Sequence, residues 1–227
     1  MNVKRNTAVI VQQGWFRDKI AKLCGITEER IIVAYPEFEA KDISAYDRAY
    51  NKAQFFFNAY PREFKNFEVI CEAAGLLSET LRTDSKWDAY LTIDGSENAY
   101  SRRVVSKYKH IRNLHFTGLL SREQCEDYYK SSECLIFPSL LETWGLPISE
   151  FKIYGKKMIL ADLPYAHEAA TGAKAVYFFN PTDAKELAKA MEAIIKEETV
   201  GIFHEVPELD IQEPFCKSWQ SLFGRII

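Results

Sequence analysis

Two glutamates, Glu142 and Glu150, stand eight positions apart in the run Pro-Ser-Leu-Leu-Glu-Thr-Trp-Gly-Leu-Pro-Ile-Ser-Glu, just after an apolar stretch ending at Phe137. The stretch reads as a buried strand, and Gly145-Leu146-Pro147 as the opening of a helix, because proline suits a first helical position whose N–H has no partner. The amides from about Gly145 to Ile148 would then point out of a helix N-terminus, a favourable place for a phosphate or diphosphate. Glu150 is expected in the first turn and Glu142 in the loop before it. Carboxylates accept hydrogen bonds from hydroxyl groups. Two of them flanking a diphosphate therefore suit a ligand laid out as ribose, diphosphate, sugar. The spacing alone fits equally well a solvated loop glutamate and a first-turn carboxylate favoured by the helix dipole.

A second loop, residues 58–67, carries Arg62 and Lys65 before an amphipathic stretch. Arginine offers a planar fork and lysine a point charge to a diphosphate. A basic loop at a helix start is also ordinary, although cations are disfavoured there by the dipole. Two further loops, Ile93-Asp94-Gly95-Ser96 and Phe116-Thr117-Gly118-Leu119, each place a glycine just past an apolar run. Glycine permits a close backbone approach to a ligand, and it serves tight turns just as readily.

These loops need a frame. Apolar runs alternate with helical stripes along the chain. Strands are expected at 8–12, 30–35, 55–59, 88–93, 112–116, 133–137, 157–161 and 174–178. Helices are expected at 16–24, 65–83, 97–109, 121–131, 147–155, 164–171 and 183–197. A strand followed each time by a helix implies β-α-β crossovers and an α/β, Rossmann-like, doubly wound parallel sheet. In such sheets ligands sit beyond the C-terminal strand ends, which is where all four loops fall. The stretch 37–54 is polar, with an Ala/Tyr stripe compatible with a short helix, and reads as a linker. In the tail, Trp219, Leu222 and Phe223 read as one apolar helix face.

The remaining signals are mostly exclusions. The 227 residues carry 29 Lys+Arg against 32 Asp+Glu, a net charge of −3, which argues against electrostatically driven nucleic-acid binding. Five cysteines form an odd set without a CxxC pair, as expected of a reduced, cytoplasmic protein. The four histidines are scattered without zinc spacing, and no Asp-x-Asp follows an apolar strand, so no metal site is expected.

Taken together, the motifs resemble the C-terminal, donor-binding domain of GT-B-fold glycosyltransferases, in particular the retaining enzymes of family 4. The resemblance rests on the Glu142-x7-Glu150 run, Gly155-Lys-Lys-Met-Ile-Leu-Ala-Asp162-Leu-Pro164, Glu168 and Phe179-Asn-Pro181-Thr-Asp183, in that order. Upstream, Lys65-Asn66, Asp94-Gly95 and Phe116-Thr-Gly118 fall where that family has its Lys-Asn, Gly and Phe-x-Gly elements. It implies that Glu150 holds the ribose of a UDP- or GDP-sugar and that Glu142 contacts the transferred sugar. Lys65, with an arginine, would neutralise the diphosphate without a metal, aided by backbone near Thr143, Trp144, Gly145 and Leu146. The base would lie against Gly95, Phe116, Gly118 and Leu119. Two positions depart from the pattern: Ala59-Tyr60 stands in place of a Gly-Arg pair, leaving Arg62 as the nearby arginine, and Trp144 replaces a common Phe.

The resemblance divides the chain into 1–40, a remnant of an N-terminal domain or hinge; 41–205, a nucleotide-sugar-binding domain; and 206–227, a crossover tail. It implies glycosyl transfer in surface polysaccharide or glycoconjugate assembly. The glycan or lipid-linked acceptor would be held by an N-terminal domain this chain lacks, and the full-length protein would be peripheral at a membrane. A nucleotide-sugar epimerase and a non-catalytic nucleotide-sugar-binding module are the rival readings.

Overall fold

The computed structural model describes residues 3–37, 52–81 and 86–226. In chain order the elements are β1 (Val9–Val11), α1 (Trp15–Cys24), β2 (Ile31–Ala34), β3 (Ala53–Phe57), α2 (Phe67–Thr80), β4 (Trp87–Leu91) and α3 (Ala99–Tyr108). They continue as β5 (Leu114–Phe116), α4 (Arg122–Ser131), β6 (Cys134–Phe137), α5 (Leu146–Lys152), β7 (Lys157–Ala161), α6 (Pro164–Ala169), β8 (Val176–Phe179) and α7 (Ala184–Ile195). The chain closes with β9 (Phe215–Cys216) and α8 (Trp219–Ile226).

Six strands form one sheet in the order β5-β4-β3-β6-β7-β8, every pair parallel. This is the doubly wound Rossmann-like sheet that the alternating pattern implied, and each element expected between 55 and 197 is present. Its central strands are apolar along both faces: Phe55, Phe56 and Phe57 of β3 and Cys134 to Phe137 of β6 are all buried. Helices cover both sides, so strands of a parallel sheet read as continuous apolar runs rather than alternating ones. From β3 the chain moves outward through β4 to β5, then returns to place β6 on the other side of β3 and continues to β7 and β8. The connections after β3 and β6 thus leave in opposite directions. A crevice opens between their C-terminal ends, the switch point at which such sheets take ligands.

A smaller three-stranded sheet, β1-β2-β9, is also parallel. β9 escaped the sequence pattern because it is only two residues long and follows Pro214. Two contacts hold it. Its backbone registers Val33 with Phe215 and Ala34 with Cys216, and Arg17 of α1 donates to the carbonyls of Pro214 (2.7 Å) and Glu213 (3.3 Å). The tail helix α8 then packs Leu222, fully buried, against Ile32, Ala34 and Cys216. Trp219 and Phe223 do not share that burial. They stack on each other at 6.2 Å and stay 38% and 51% exposed, so the apolar residues of α8 are split between two faces. The possible helix within 37–54 falls almost wholly on 38–51, outside the described residues.

The two sheets meet through polar contacts. Gln13, buried, donates from Nε2 to the carbonyls of Tyr165 (2.9 Å) and Trp144 (3.4 Å). The Glu168 carboxylate of α6 accepts the N–H groups of Gly14 (2.7 Å) and Trp15 (3.2 Å), which capture an anion at the start of α1.

Leu222→Ala removes the one apolar anchor of α8 and is expected to cost about 2–3 kcal/mol. Urea unfolding followed by circular dichroism measures this; a shift equivalent to less than about 0.5 kcal/mol would show that α8 is not docked.

Candidate functional site

Lys65 is delivered by a tight local construction. After β3, residues Glu63–Lys65 form a single 3-10 turn in which the Lys65 N–H donates to the Arg62 carbonyl (2.9 Å). Asn66 then adopts a left-handed conformation (φ 59°), which asparagine tolerates better than most side chains. Its side-chain amide donates to the carbonyls of Pro181 (2.8 Å) and Pro138 (3.2 Å), tying this turn to the loops after β8 and β6. The Leu140 N–H donates to the Phe64 carbonyl (2.7 Å), a second tie between the β3 and β6 loops. Across these ties Lys65 Nζ pairs with Glu142 Oε1, with the two side chains only 18% and 12% exposed. Arg62 takes another course. It is exposed, lies over the Tyr60 ring at 5.0 Å, and forms no ion pair with Glu142 among the described residues.

The β6 loop turns into α5 at Gly145, whose φ of 89° is closed to ordinary side chains. A Cβ there would also lie 3.1 Å from Ile148 Cδ1 and 3.4 Å from the Phe137 ring, so both conformation and space require glycine. α5 begins at Leu146, with Pro147 second rather than first. The Ile148 N–H is not free, because it donates to the Gly145 carbonyl (2.9 Å). The N–H groups of Gly145 and Leu146 have no acceptor among the described residues. Thr143 is exposed, and Leu146 is 43% exposed. Trp144 is buried: its Nε1 donates to Ser149 Oγ (2.8 Å) and its ring meets that of Tyr35 at 4.5 Å. Here the indole meets the ring that follows β2 and so joins the β6 loop to the small sheet.

Glu150 falls in the second turn of α5, not the first, because the helix starts one residue earlier than expected. It therefore owes little to the helix dipole. Instead the Tyr129 hydroxyl of α4 donates to Glu150 Oε2 (2.9 Å) and accepts from Asn58 Nδ2 at the end of β3 (2.8 Å). Burial, then the charge of Glu150, holds the Tyr129 phenol well above its usual pKa, so it stays a donor. Neither Tyr129 nor Asn58 stood out in the sequence. The available signal was that α4 is strongly polar and buries Tyr129 alone, and a buried phenol requires a hydroxyl partner.

The β4 and β5 loops stand beside this. Gly118 has φ 72°, and a Cβ on it would come 2.9 Å from Asp94 Oδ2, so the two loops approach closely. The Gly95 N–H is already taken by Glu97 (3.1 Å), which removes it from the set of free donors. Phe116 is half-buried and Leu119 is 57% exposed. On the far side of the Lys65–Glu142 pair a cleft of about 630 Å³ separates it from the small sheet. Ile10, Gln13, Trp15, Phe16, Phe64 and Thr143 help to line it. Among the described residues no three His, Cys, Asp or Glu side chains come together as a metal cluster.

A parallel sheet of six strands flanked by helices is the fold of a GT-B Rossmann-like domain. The family model for glycosyl transferases group 1 matches residues 41–206, and the chain belongs to that family. It is 24% identical over 199 residues to the O-antigen chain mannosyltransferase RfbU of Salmonella typhimurium, covering 86% of this chain and 52% of that protein. The chain thus spans about half the length of the curated relative it matches. Among solved structures it is similar in fold to a glycosyltransferase from Rickettsia africae (TM-score 0.68, 18% identical, 86% of this chain and 54% of that one). It is also similar to Anabaena HepE in complex with UDP-glucose (TM-score 0.64, 16% identical, 85% and 55%).

Lys65→Met leaves the Glu142 carboxylate mostly covered without its cation and is expected to cost about 1–3 kcal/mol, whereas adding Glu142→Gln recovers most of the loss. Denaturant unfolding of the two single variants and the double variant measures the coupling; additive losses would show that the pair does not interact.

Proposed function

We propose that this chain is the donor-binding half of a retaining glycosyltransferase of family 4, which takes a UDP- or GDP-sugar. Membership of the group 1 family supports glycosyl transfer in general. The observation that carries the finer reading is the Lys65–Glu142 pair and the separately held Glu150, distributed around the β3–β6 crevice. In this reading Glu150 accepts the ribose hydroxyls and Glu142 the hydroxyls of the transferred sugar.

The chemistry follows from where charge develops. Breaking the bond between sugar and diphosphate places negative charge on the leaving oxygens, so a cation fixed nearby stabilises the transition state more than the ground state. Lys65 supplies that cation with no metal required. Before the donor binds, Glu142 holds its ammonium group; once the donor is bound, the ammonium group is shared with the phosphate. The amides of Gly145 and Leu146 lack acceptors among the described residues and add donors at the same end. Arg62, exposed three residues before Lys65, supplies a second cation to the outer phosphate. Gly95, Phe116, Gly118 and Leu119 form the ledge for the base, Thr143 lines the approach to the sugar, and the buried Trp144 holds that loop from behind.

The acceptor, a glycan or lipid-linked glycan, is assigned to a second domain that would complete the cleft beyond Lys65 and Glu142. By this account the chain binds donor alone and transfers only in the complete enzyme, which acts in surface polysaccharide assembly on the cytoplasmic face of a membrane. No described helix is long and apolar enough to cross one, so the association would be peripheral.

Calorimetric titration with UDP, GDP and ADP, first without and then with magnesium, tests the donor site. Saturable, magnesium-independent binding of UDP or GDP, weakened at least about tenfold in Glu150→Ala, is expected; binding that appears only with magnesium would overturn the metal-free reading. In the complete enzyme, Glu142→Gln is expected to lower kcat by about two orders of magnitude or more, and unchanged turnover would remove Glu142 from the catalytic set.

A further inference from the structure

Glu150 is anchored in an unusual way for a carboxylate that has to recognise a ligand. No cation pairs with it among the described residues. Its only hydrogen bond there comes from Tyr129, and it falls on one oxygen, Oε2, leaving Oε1 unpartnered. The donor is the hydroxyl of a side chain buried on every side: Tyr129 is 2% exposed, with its ring against Phe56 (5.7 Å) and Phe151 (5.7 Å). Those rings belong to β3 and α5, so the phenol cannot swing without disturbing the sheet. Its hydroxyl is further fixed by accepting from Asn58 Nδ2. A hydroxyl has one proton, so with Asn58 donating into it that proton is committed to Glu150.

Asn58 bears a cost for this arrangement. Its Oδ1 is buried with no hydrogen-bond partner among the described residues. A buried unpaired acceptor costs about 1–3 kcal/mol, and such groups in native structures call for an explanation. Turning the amide over would present Oδ1 to the phenol and free the phenol's proton from Glu150. The orientation that is unfavourable for Asn58 is the one that keeps Glu150 in place.

We propose that Tyr129, held by Asn58, is a positioning residue that locks the Glu150 carboxylate for a vicinal diol, so that discrimination between ribose and deoxyribose in the donor nucleotide depends on Tyr129. The proposal rests on the reading of Glu150 as the ribose-binding carboxylate. A diol donates two O–H groups and needs a carboxylate whose plane is already set. A rotating carboxylate meets a single hydroxyl almost as well as a pair, and so cannot tell one from the other. A neutral donor suits this purpose better than an arginine or lysine would, because it orients Glu150 without neutralising the charge that attracts the diol.

The experiment is a set of titrations of UDP, GDP and their 2′-deoxy counterparts into the unaltered chain, Tyr129→Phe, Asn58→Ala and Glu150→Gln, with a thermal unfolding curve for each. The unaltered chain is expected to favour the ribonucleotide by about tenfold or more, as sites built around a ligand hydroxyl do. Tyr129→Phe is expected to weaken the ribonucleotide about tenfold and the deoxynucleotide less than about twofold, so that the preference collapses. Asn58→Ala is expected to act in the same direction and by less, and it stands in for Tyr129→Phe should that variant fail to fold. A purely structural role would weaken both nucleotides alike and leave their ratio intact, which would overturn the proposal while the donor site stands, provided Glu150→Gln still abolishes the preference. If the unaltered chain binds none of the four, or binds ribo- and deoxynucleotide equally, the ribose reading of Glu150 falls and this inference falls with it.

Discussion

The divergence of the chain on either side of the β3–β6 pair governs everything else in this molecule. Neighbouring parallel strands need a crossover between them, and after β3 and β6 these crossovers depart in opposite directions. No helix can then cap the space directly above the two strand ends. Loops must line it instead, and each begins on a strand buried on both faces. That is why Asn58, Lys65, Glu142 and Glu150, spread over more than ninety residues of sequence, come together. The rigidity of the place comes from the phenylalanines beneath it. Phe57 packs edge-on against Phe137 at 5.6 Å, one from each strand, directly under the two loops.

On that platform most of the polar groups are paired, and Asn58 Oδ1 is an exception among the described residues. Lys65 and Glu142 are largely withdrawn from water, and each would be costly without the other. Asn66 and the Leu140–Phe64 backbone link keep them together by joining the loops through main-chain carbonyls. Glu150 is handled differently, by a buried phenol rather than a cation. The two carboxylates of the motif thus have different partners, a cation for Glu142 and a neutral phenol for Glu150.

The small sheet is joined to this site through groups that touch its walls. Gln13 donates to the carbonyl of Trp144, and the Trp144 ring meets that of Tyr35 at a tilt of 58°. Glu168 grips the start of α1. The tail reinforces the connection, since β9 and α8 complete the core of the small sheet. Movement of that sheet relative to the large one would therefore be felt first at Trp144, two residues after Glu142 in the β6 loop.

Much of the fold was legible in the sequence because its causes are local. The triple phenylalanine of β3, the run 134–137 and the switch to helical stripes after each strand depend on burial and period alone. The opening of a helix near Gly145 was legible too, from Pro147 close behind it, whereas the left-handed backbone of Gly145 was not. What sequence could not supply was the partner of each side chain. Whether the Ile148 amide is free depends on where α5 begins, by a single residue. The acceptor for a buried phenol 21 positions away, and the grip of Glu168 on Gly14 across 154 positions, depend on which surfaces the crossovers bring together. β9 is a strand only because β2 lies beside it. Composition and period determined the layers and the order of the loops; the tertiary structure decided which polar groups face one another, because hydrogen bonds are set by distances that local sequence does not encode.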